Sequence, residues 1–196
     1  MNKRILLIQA HPDGAHPHLC HALESAYQEA AVEAGHTVRR IQLAALEFPL
    51  LKSQDEWEHG ALPASLHDAQ EDIRWAEHLV FFFPLWLGDM PALLKGFLEQ
   101  VARPGFAFDP ASARSPLGKK ALAGRSARLV VTMGMPGFIY RWYFMAHSLR
   151  SMKRNILGFV GISPVRDTII GMAGALKPDQ AKRWLARMES LGCDGA

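Results

Sequence analysis

Short, continuously apolar runs alternate along the chain with longer segments in which apolar residues recur every three or four positions. Residues 5–8 and 79–83 are continuously apolar, as in parallel strands that are buried on both faces, and the runs 78–83 and 128–132 predict two strands beside the first. An alternating run at 36–43 and a further run at 165–170 predict two more strands. The chain is therefore expected to contain five strands.

Segments in which apolar residues recur at helical spacing lie between these strands. The first helix carries Leu19, Leu23, Ala26 and Ala30 and stops at Gly35, and the last contains the apolar stripe of residues 181–191. Three further helices are predicted: one from Ser65 or Asp68 to about Glu77, one that begins at Pro91, and one from Tyr140 to about Leu157. Residues 44–64 are predicted to form a long loop with some helix, and residues 103–118 are predicted to form a second loop. This alternation predicts one domain over residues 1–196, an α/β fold with a doubly wound, five-stranded parallel sheet in the flavodoxin-like strand order and helices on both faces.

The segment 83–97 is the most informative part of the sequence. The strand stops at Pro84, which cannot donate to a sheet ladder, and a helix begins at Pro91, which suits a first helical turn. The loop between them is unusually apolar and lies at the carboxyl edge of a parallel sheet, where α/β folds bind ligands. It therefore predicts a flat aromatic ligand, with a core-packing role as the alternative for Trp86. The amides expected at the ligand's polar edge are those of Leu85, Trp86 and Leu87.

The loop after the first strand, residues 10–18, leads into a helix amino terminus. Backbone N–H groups and the helix dipole attract phosphate there, and His11, His16 and His18 add side-chain donors. The alternative is a plain turn in which Pro and Gly set the geometry.

The loop after the fourth strand covers residues 132–137. Gly134 and Gly137 permit close approach of the backbone to a ligand. Tyr140 and His147 follow as candidates for proton transfer beside a redox ring, with a buried structural tyrosine as the alternative.

Charge and composition limit the classes of function. There are 22 Lys and Arg against 19 Asp and Glu, a mild and dispersed excess that does not indicate nucleic acid and is compatible with phosphate-bearing ligands. Cys20 and Cys193 form no CxxC pair, and the group of His16, His18, Cys20 and His21 lacks a carboxylate pair, so no metal site is expected. With no signal peptide and no apolar run near the roughly 20 residues of a membrane span, we expect a cytoplasmic protein without membrane insertion.

Several segments together resemble the flavodoxin-like NAD(P)H:quinone oxidoreductases, the DT-diaphorase-like group that includes the potassium-efflux ancillary reductases. The matching segments keep the family's order and are residues 10–12, 84–97, 105–108 and 132–140. The most specific of them is Pro-Ala-Leu-Leu-Lys-Gly-Phe at residues 91–97.

The resemblance implies a bound flavin, FMN or FAD, with its phosphate near His11, His16 and His18. The implied contacts of the flavin ring are Pro84, Leu85, Trp86, Leu87, Thr132, Met133, Gly134 and Met135. Phe108 matches the aromatic residue over the substrate pocket, Tyr140 matches the catalytic tyrosine, and His147 lies one position from the expected catalytic histidine.

Two departures from the family pattern bear on the cofactor. The usual hydroxyl residue of the phosphate loop is replaced, and Thr132-Met133-Gly134-Met135 stands where the family has Thr-Thr-Gly-Gly. Flavin binding is therefore expected to depend more on backbone and histidine donors. The carboxyl-terminal extension of the larger members is absent, which leaves FMN and FAD open.

The predicted activity is that of a flavin-dependent NAD(P)H oxidoreductase that reduces quinones or similar two-electron acceptors by a ping-pong cycle. Family members pair as homodimers, and residues 141–145 are the apolar stretch expected at that contact. One alternative is a flavin- or nucleotide-binding regulatory subunit of a partner such as a membrane transporter. Another is a flavodoxin-type electron carrier, which the sequence pI near 9.0 disfavours because such carriers are usually acidic.

Overall fold

Five parallel strands form one sheet in the computed structural model, which describes residues 2–107 and 120–196. The strands are β1 (Arg4–Gln9), β2 (Thr37–Gln42), β3 (His78–Pro84), β4 (Ser126–Thr132) and β5 (Val165–Ile170). Their order is β2-β1-β3-β4-β5, with every neighbouring pair parallel. The predicted flavodoxin-like sheet is confirmed.

The helices cover both faces of this sheet. They are α1 (Leu19–Glu33), α2 (Gln54–His59), α3 (His67–Trp75), α4 (Ala92–Val101), α5 (Gly137–Trp142), α6 (His147–Ser151), α7 (Gly158–Val160) and α8 (Pro178–Asp194). A π-helical segment, Met152–Leu157, joins α6 to α7, and short 3₁₀ turns lie at Leu43–Ala45, Ala64–Leu66 and Ala173–Ala175. Within the described ranges, no helix is long and apolar enough to cross a membrane.

Alternate residues of the central strands enter two separate cores, which is why residues 5–8 and 79–83 are continuously apolar. On one face Leu6, Leu79 and Phe81 pack with residues of α3 and α4. On the other face Leu7 and Phe82 pack with residues of α1 and α8. Burial on both sides is the normal condition of a parallel strand covered by crossover helices.

The winding direction of the sheet reverses between β1 and β3. From β1 the chain crosses to β2 on one side, and it then returns to β3 on the other side of β1. The loops that leave β1 and β3 therefore diverge and open a crevice at the carboxyl edge of the sheet. Open α/β sheets bind ligands at such a switch point.

The helix predicted from Tyr140 to Leu157 is wrong, because it is broken after its first turns. Helix α5 ends at Trp142, and Met145 and Ala146 take left-handed conformations (φ 53° and 46°) before α6 begins. Neither residue is a glycine or asparagine, the residues that usually mark such a conformation. The break therefore has no local signal in the sequence.

Helices α1 and α8 approach each other closely at Gly192. A Cβ atom placed on Gly192 would lie 2.3 Å from the carbonyl oxygen of Tyr27 and 3.1 Å from the amide nitrogen of Ala31. Both of those atoms belong to the backbone of α1, which cannot move aside as a side chain tip can. The face formed by α1 and α8 thus depends on a residue without a side chain.

Substitution Gly192→Ala is expected to destabilise the protein by about 1–3 kcal/mol, because overpacking outweighs the roughly 1 kcal/mol gain in helix propensity. Urea unfolding measures the change. The matched control is Gly174→Ala, since a Cβ at Gly174 meets nothing within 4 Å. The control should stay within about 0.5 kcal/mol of the parent. Equal stability of the two variants would contradict close packing at Gly192.

Candidate functional site

Three loops meet at the carboxyl edge of the sheet: loop 1 (residues 10–18), loop 2 (residues 85–91) and loop 3 (residues 133–136). Backbone hydrogen bonds join them beyond the strand ends. The amide of Ala10 donates to Phe82 O at 2.8 Å, and the amide of Leu85 donates to Thr132 O at 2.7 Å. Loop 1 is thereby held to β3, and loop 2 is held to β4.

Loop 1 and loop 2 also touch through their rings. His11 is 7% exposed and stacks on His18, with ring centroids 3.8 Å apart. The indole of Trp86 meets His11 edge-on at a centroid distance of 5.9 Å. The structure therefore brings together His11 and His18, the predicted phosphate donors, and Trp86, the predicted ring contact.

Asp13, which the sequence analysis did not single out, organises the imidazoles of loop 1. Its Oδ2 atom lies 2.9 Å from both His16 Nδ1 and His18 Nε2, and its Oδ1 accepts the amides of Ala15 and His16. Hydrogen bonds from His18 and His16 hold the pKa of the Asp13 carboxyl well below its usual range. Asp13 therefore engages one nitrogen of each ring, Nδ1 of His16 and Nε2 of His18.

The tautomer of His11 follows from its hydrogen bond with the backbone. The amide of Asp13 donates to His11 Nδ1 at 3.1 Å, so the ring proton lies on Nε2. Burial, with smaller effects of His18 and His21, lowers the pKa of His11. His11 is thus a neutral imidazole with an N–H donor on its other edge.

His21 is a site residue whose role in binding the sequence did not reveal, since its place beside His16, His18 and Cys20 suggested only a metal ligand. Its Nδ1 accepts the amide of His18 at 3.4 Å, which leaves the proton on Nε2. Within the described ranges, Nε2 is buried and has no hydrogen-bond partner. Buried polar atoms are nearly always paired, so this donor points to an acceptor that the polypeptide does not supply. Its spacing of three residues from His18, which caps α1, was the available signal.

Loop 1 and the first turn of α1 fit a phosphate group. Each helix leaves its first N–H groups without intrahelical acceptors, and the first turn of α1 contains no acidic residue. The buried donor of His21 and the N–H of His11 add to these amides. In the part of the chain that the structure describes, no group of three or more His, Cys, Asp or Glu is arranged to hold a metal ion.

Loop 2 contains a tight turn rather than three amides directed at a ligand. Trp86 and Asp89 exchange both backbone hydrogen bonds, at 2.9 and 3.0 Å, around Leu87 and Gly88, which have φ values of 48° and 82°. Since the amides of Leu85 and Trp86 bond within the protein, the prediction for them is wrong. Among described residues, the amide of Leu87 has no acceptor. Trp86 is 49% exposed, which excludes the core-packing alternative.

Loop 3 presents backbone and open space rather than side chains. Thr132 and Met133 are buried, and the Thr132 hydroxyl lies 3.1 Å from Cys20 Sγ. The carbonyl of Thr132 accepts the amide of Leu85, and the Met133 amide and carbonyl bond to Ile170 O and to the Ala173 amide, so the polar groups of both residues are engaged within the protein. A Cβ on Gly134 would meet nothing within 4 Å, so the face of this glycine is open.

The remaining predicted residues around loops 2 and 3 serve other contacts. Gly137 packs against β5, because a Cβ placed on Gly137 would lie 3.3 Å from Ile169 Cγ2. Its small size therefore serves packing and not a ligand. Pro84 is the buried last residue of β3, and the carbonyl of half-buried Met135 accepts the amide of Met172.

Tyr140 and His147 occupy different environments. The Tyr140 side chain is 1% exposed, and its hydroxyl lies 2.5 Å from Ser148 Oγ and accepts the amide of Leu149. Because the hydroxyl is buried and bonded within the protein, direct proton exchange between Tyr140 and a ligand does not fit. The two contacts instead connect α5 to α6. His147 is exposed as the first residue of α6. Phe108 lies outside the described residues.

Substitution Leu87→Asn is expected to raise the free energy of unfolding by about 0.5–1 kcal/mol. Leucine is strained at positive φ, whereas asparagine tolerates this conformation, and the fully exposed Leu87 side chain loses no packing when replaced. Urea unfolding of the parent and the variant checks this. Exposed Val32, in helix α1, provides the control position, where Asn should not stabilise. A destabilised Leu87→Asn variant would show that the leucine makes contacts that offset its strain.

Comparison with known proteins places the chain in a family. The family model for the flavodoxin-like fold matches residues 3–191. A ribosyldihydronicotinamide dehydrogenase-like protein, traD of Penicillium crustosum, is 30% identical over 155 residues, which cover 67% of this chain and 57% of that protein.

Two further proteins are similar to this chain, one over its whole length and one over less than half of it. The structure of an NAD(P)H:quinone oxidoreductase from Methanothermobacter marburgensis superposes over 100% of both chains with a TM-score of 0.80 and 25% identity. The glutathione-regulated potassium-efflux ancillary protein KefG of Serratia proteamaculans is 40% identical over 76 residues, 39% of this chain and 38% of that protein. Because the family model spans nearly the whole sequence, the chain belongs to the flavodoxin-like fold family.

Proposed function

We propose that this chain is a flavin-dependent NAD(P)H oxidoreductase that reduces quinones or similar two-electron acceptors. One observation carries the proposal: the phosphate-type donors of loop 1 adjoin an exposed indole at the switch point of the sheet, with His11 and Trp86 in edge contact at 5.9 Å. A phosphate site beside an exposed aromatic wall suits a ligand with a charged tail and a flat ring. The similarity to a quinone oxidoreductase over the full chain supports this choice.

Different residues would bind the phosphate and the ring of such a cofactor. The first turn of α1 and the N–H groups of His11 and His21 would bind the phosphate. The Leu87 amide would meet the polar edge of the ring, and the open face of Gly134 would let the ring approach the backbone. When bound, FMN or FAD supplies the two-electron chemistry, with NADH or NADPH as reductant and the acceptor using the same pocket in a ping-pong cycle.

We assign proton transfer to His147 rather than Tyr140. His147 is exposed, whereas the Tyr140 hydroxyl is enclosed with Ser148 and Leu149. Tyr140 would act as a positioning residue that sets the turn from which α6, and with it His147, begins.

The purified protein, reconstituted with FMN or FAD, is expected to lose its visible flavin absorption on anaerobic addition of NADPH or NADH. Addition of menadione or benzoquinone should restore the absorption. In stopped-flow measurements, His147→Gln should slow the reoxidation by quinone roughly 100-fold while leaving reduction by the nucleotide nearly unchanged. Tyr140→Phe is the matched variant, and its main effect should be on stability.

Failure to bind either flavin on reconstitution would overturn the oxidoreductase proposal. A protein that binds flavin but does not turn over would favour a regulatory subunit of a partner such as a membrane transporter. The similarity to the potassium-efflux ancillary protein is the specific observation behind that second candidate.

A second copy of the chain would cover the apolar surface that follows loop 3. Five large apolar side chains are exposed there by 43–80%: Phe138, Trp142, Tyr143, Phe144 and Met145. An exposed cluster of this kind is unusual for a monomer and typical of an interaction surface. Because this surface begins directly after loop 3, a homodimer formed through it would border the proposed active site.

Light scattering should give about twice the 21.8 kDa chain mass for the parent protein. The double variant Trp142→Ser/Tyr143→Ser should shift the species to the monomer, because it removes the two most exposed aromatic rings of the surface. Val32→Ser, on the exposed side of α1, should leave the mass unchanged. A monomeric parent at micromolar concentration would refute the homodimer.

A further inference from the structure

Gln9, the last residue of β1, is completely buried beneath loop 1 and has all its polar atoms paired. Its Oε1 accepts the amide of His11 at 3.1 Å. Its Nε2 donates to Cys20 O at 3.1 Å and to Glu24 Oε2 at 2.9 Å. One side chain thus connects the strand end, loop 1 and helix α1.

Glu24 and Arg40 continue this connection to the next strand. The Glu24 carboxylate is 1% exposed and receives two hydrogen bonds from Arg40 of β2, from Nε at 2.5 Å and Nη2 at 2.8 Å. A buried carboxylate is tolerated when it is paired and hydrogen-bonded in this way. The Arg40 pKa is raised, first by its hydrogen bond with Glu24.

The ion pair decides which way the Gln9 amide points. An ionised carboxylate only accepts hydrogen bonds, so Glu24 requires the NH₂ group of Gln9 on its side. The carbonyl of Gln9 then faces loop 1, where it accepts the His11 amide. With the amide reversed, an NH₂ group would face the N–H of His11, and two donors would oppose each other.

We propose that Gln9, Glu24 and Arg40 are positioning residues that hold loop 1 in its phosphate-binding geometry. This inference rests on the proposed cofactor site and extends it into the core. Arg40 is already neutralised by Glu24, so the effect is geometric and not an added attraction for the anion. The network sets the affinity for the phosphate group and not for the flavin ring.

The phosphate-specific part of flavin affinity provides the test. Apo protein is titrated with FMN and with riboflavin, which lacks the phosphate, and the quenching of flavin fluorescence gives both dissociation constants. Substitution Gln9→Met should weaken FMN binding about tenfold while changing riboflavin binding by less than about twofold. Thermal unfolding of the apo protein, recorded alongside, reports the structural cost separately.

Gln100 provides a matched control in another part of the core. It is also completely buried, and its amide bonds to Pro49 O at 2.7 Å and to Arg103 Nη2 at 2.5 Å. Substitution Gln100→Met should lower thermal stability and leave the ratio of FMN to riboflavin affinity unchanged. A change in that ratio equal to the change for Gln9→Met would overturn the proposal.

Glu24→Gln gives a second route if Gln9→Met does not fold. An amide at position 24 can both donate and accept, so it no longer dictates the orientation of Gln9, and FMN binding should weaken selectively. The double variant Gln9→Met/Glu24→Gln should bind FMN no more weakly than Gln9→Met alone, because both changes interrupt one chain of contacts.

The outcomes distinguish failure of the proposed cofactor site from failure of the positioning role. A parent protein that binds neither FMN nor FAD overturns the cofactor site and this inference with it. A parent that binds FMN, with variants that lose FMN and riboflavin affinity equally or lose neither, overturns the positioning role alone.

Discussion

The continuation of sheet hydrogen bonding past the ends of the central strands holds the candidate site together. The amides of Ala10 and Leu85 still find carbonyl partners on neighbouring strands after their own strands have ended. Loops 1 and 2 therefore leave the sheet from defined points, and they diverge because the winding reverses between β1 and β3. The position of every ring and donor in the site depends on this edge.

A band of polar groups lies directly below the site, inside an otherwise apolar core. Gln9 and Glu24 belong to it, as does the contact between Cys20 and Thr132. Burial raises the pKa of the Cys20 thiol to about 11, so this sulfur stays protonated and serves as a hydrogen-bonding group rather than a nucleophile. Satisfied polar groups of this kind specify one arrangement of the segments they join, whereas apolar packing tolerates several.

The sheet and its order could be predicted because burial on both faces leaves a plain signal, a run such as residues 78–83 with no polar break at its centre. Glycine and proline likewise marked the loops that leave β1, β3 and β4. The break at Met145 and Ala146 could not be predicted, since neither residue type has a local preference for the left-handed conformation that it adopts. The sequence likewise placed Tyr140 beside a ligand without showing that Ser148 encloses its hydroxyl, because that contact forms only where the break brings α6 back to α5.

The chemistry of the site was harder to predict than its location. Histidines in a loop indicate donors, but which nitrogen donates depends on partners such as Asp13, whose role becomes visible only in the folded chain. Gln9 and Glu24 illustrate a further limit. A single glutamine or glutamate in an apolar stretch gives no indication of the buried partner that makes it tolerable.

The tight turn of loop 2 has a consequence for the way a ring would be received. Two backbone hydrogen bonds join Trp86 and Asp89, and the residues between them, Leu87 and Gly88, are both in the left-handed region. Such a turn has one strongly preferred geometry, so the exposed indole stands on a short, stiff hairpin. A ring that stacks on Trp86 would contact a surface that is ordered before binding. The backbone of the turn would therefore lose little conformational entropy when the ring binds.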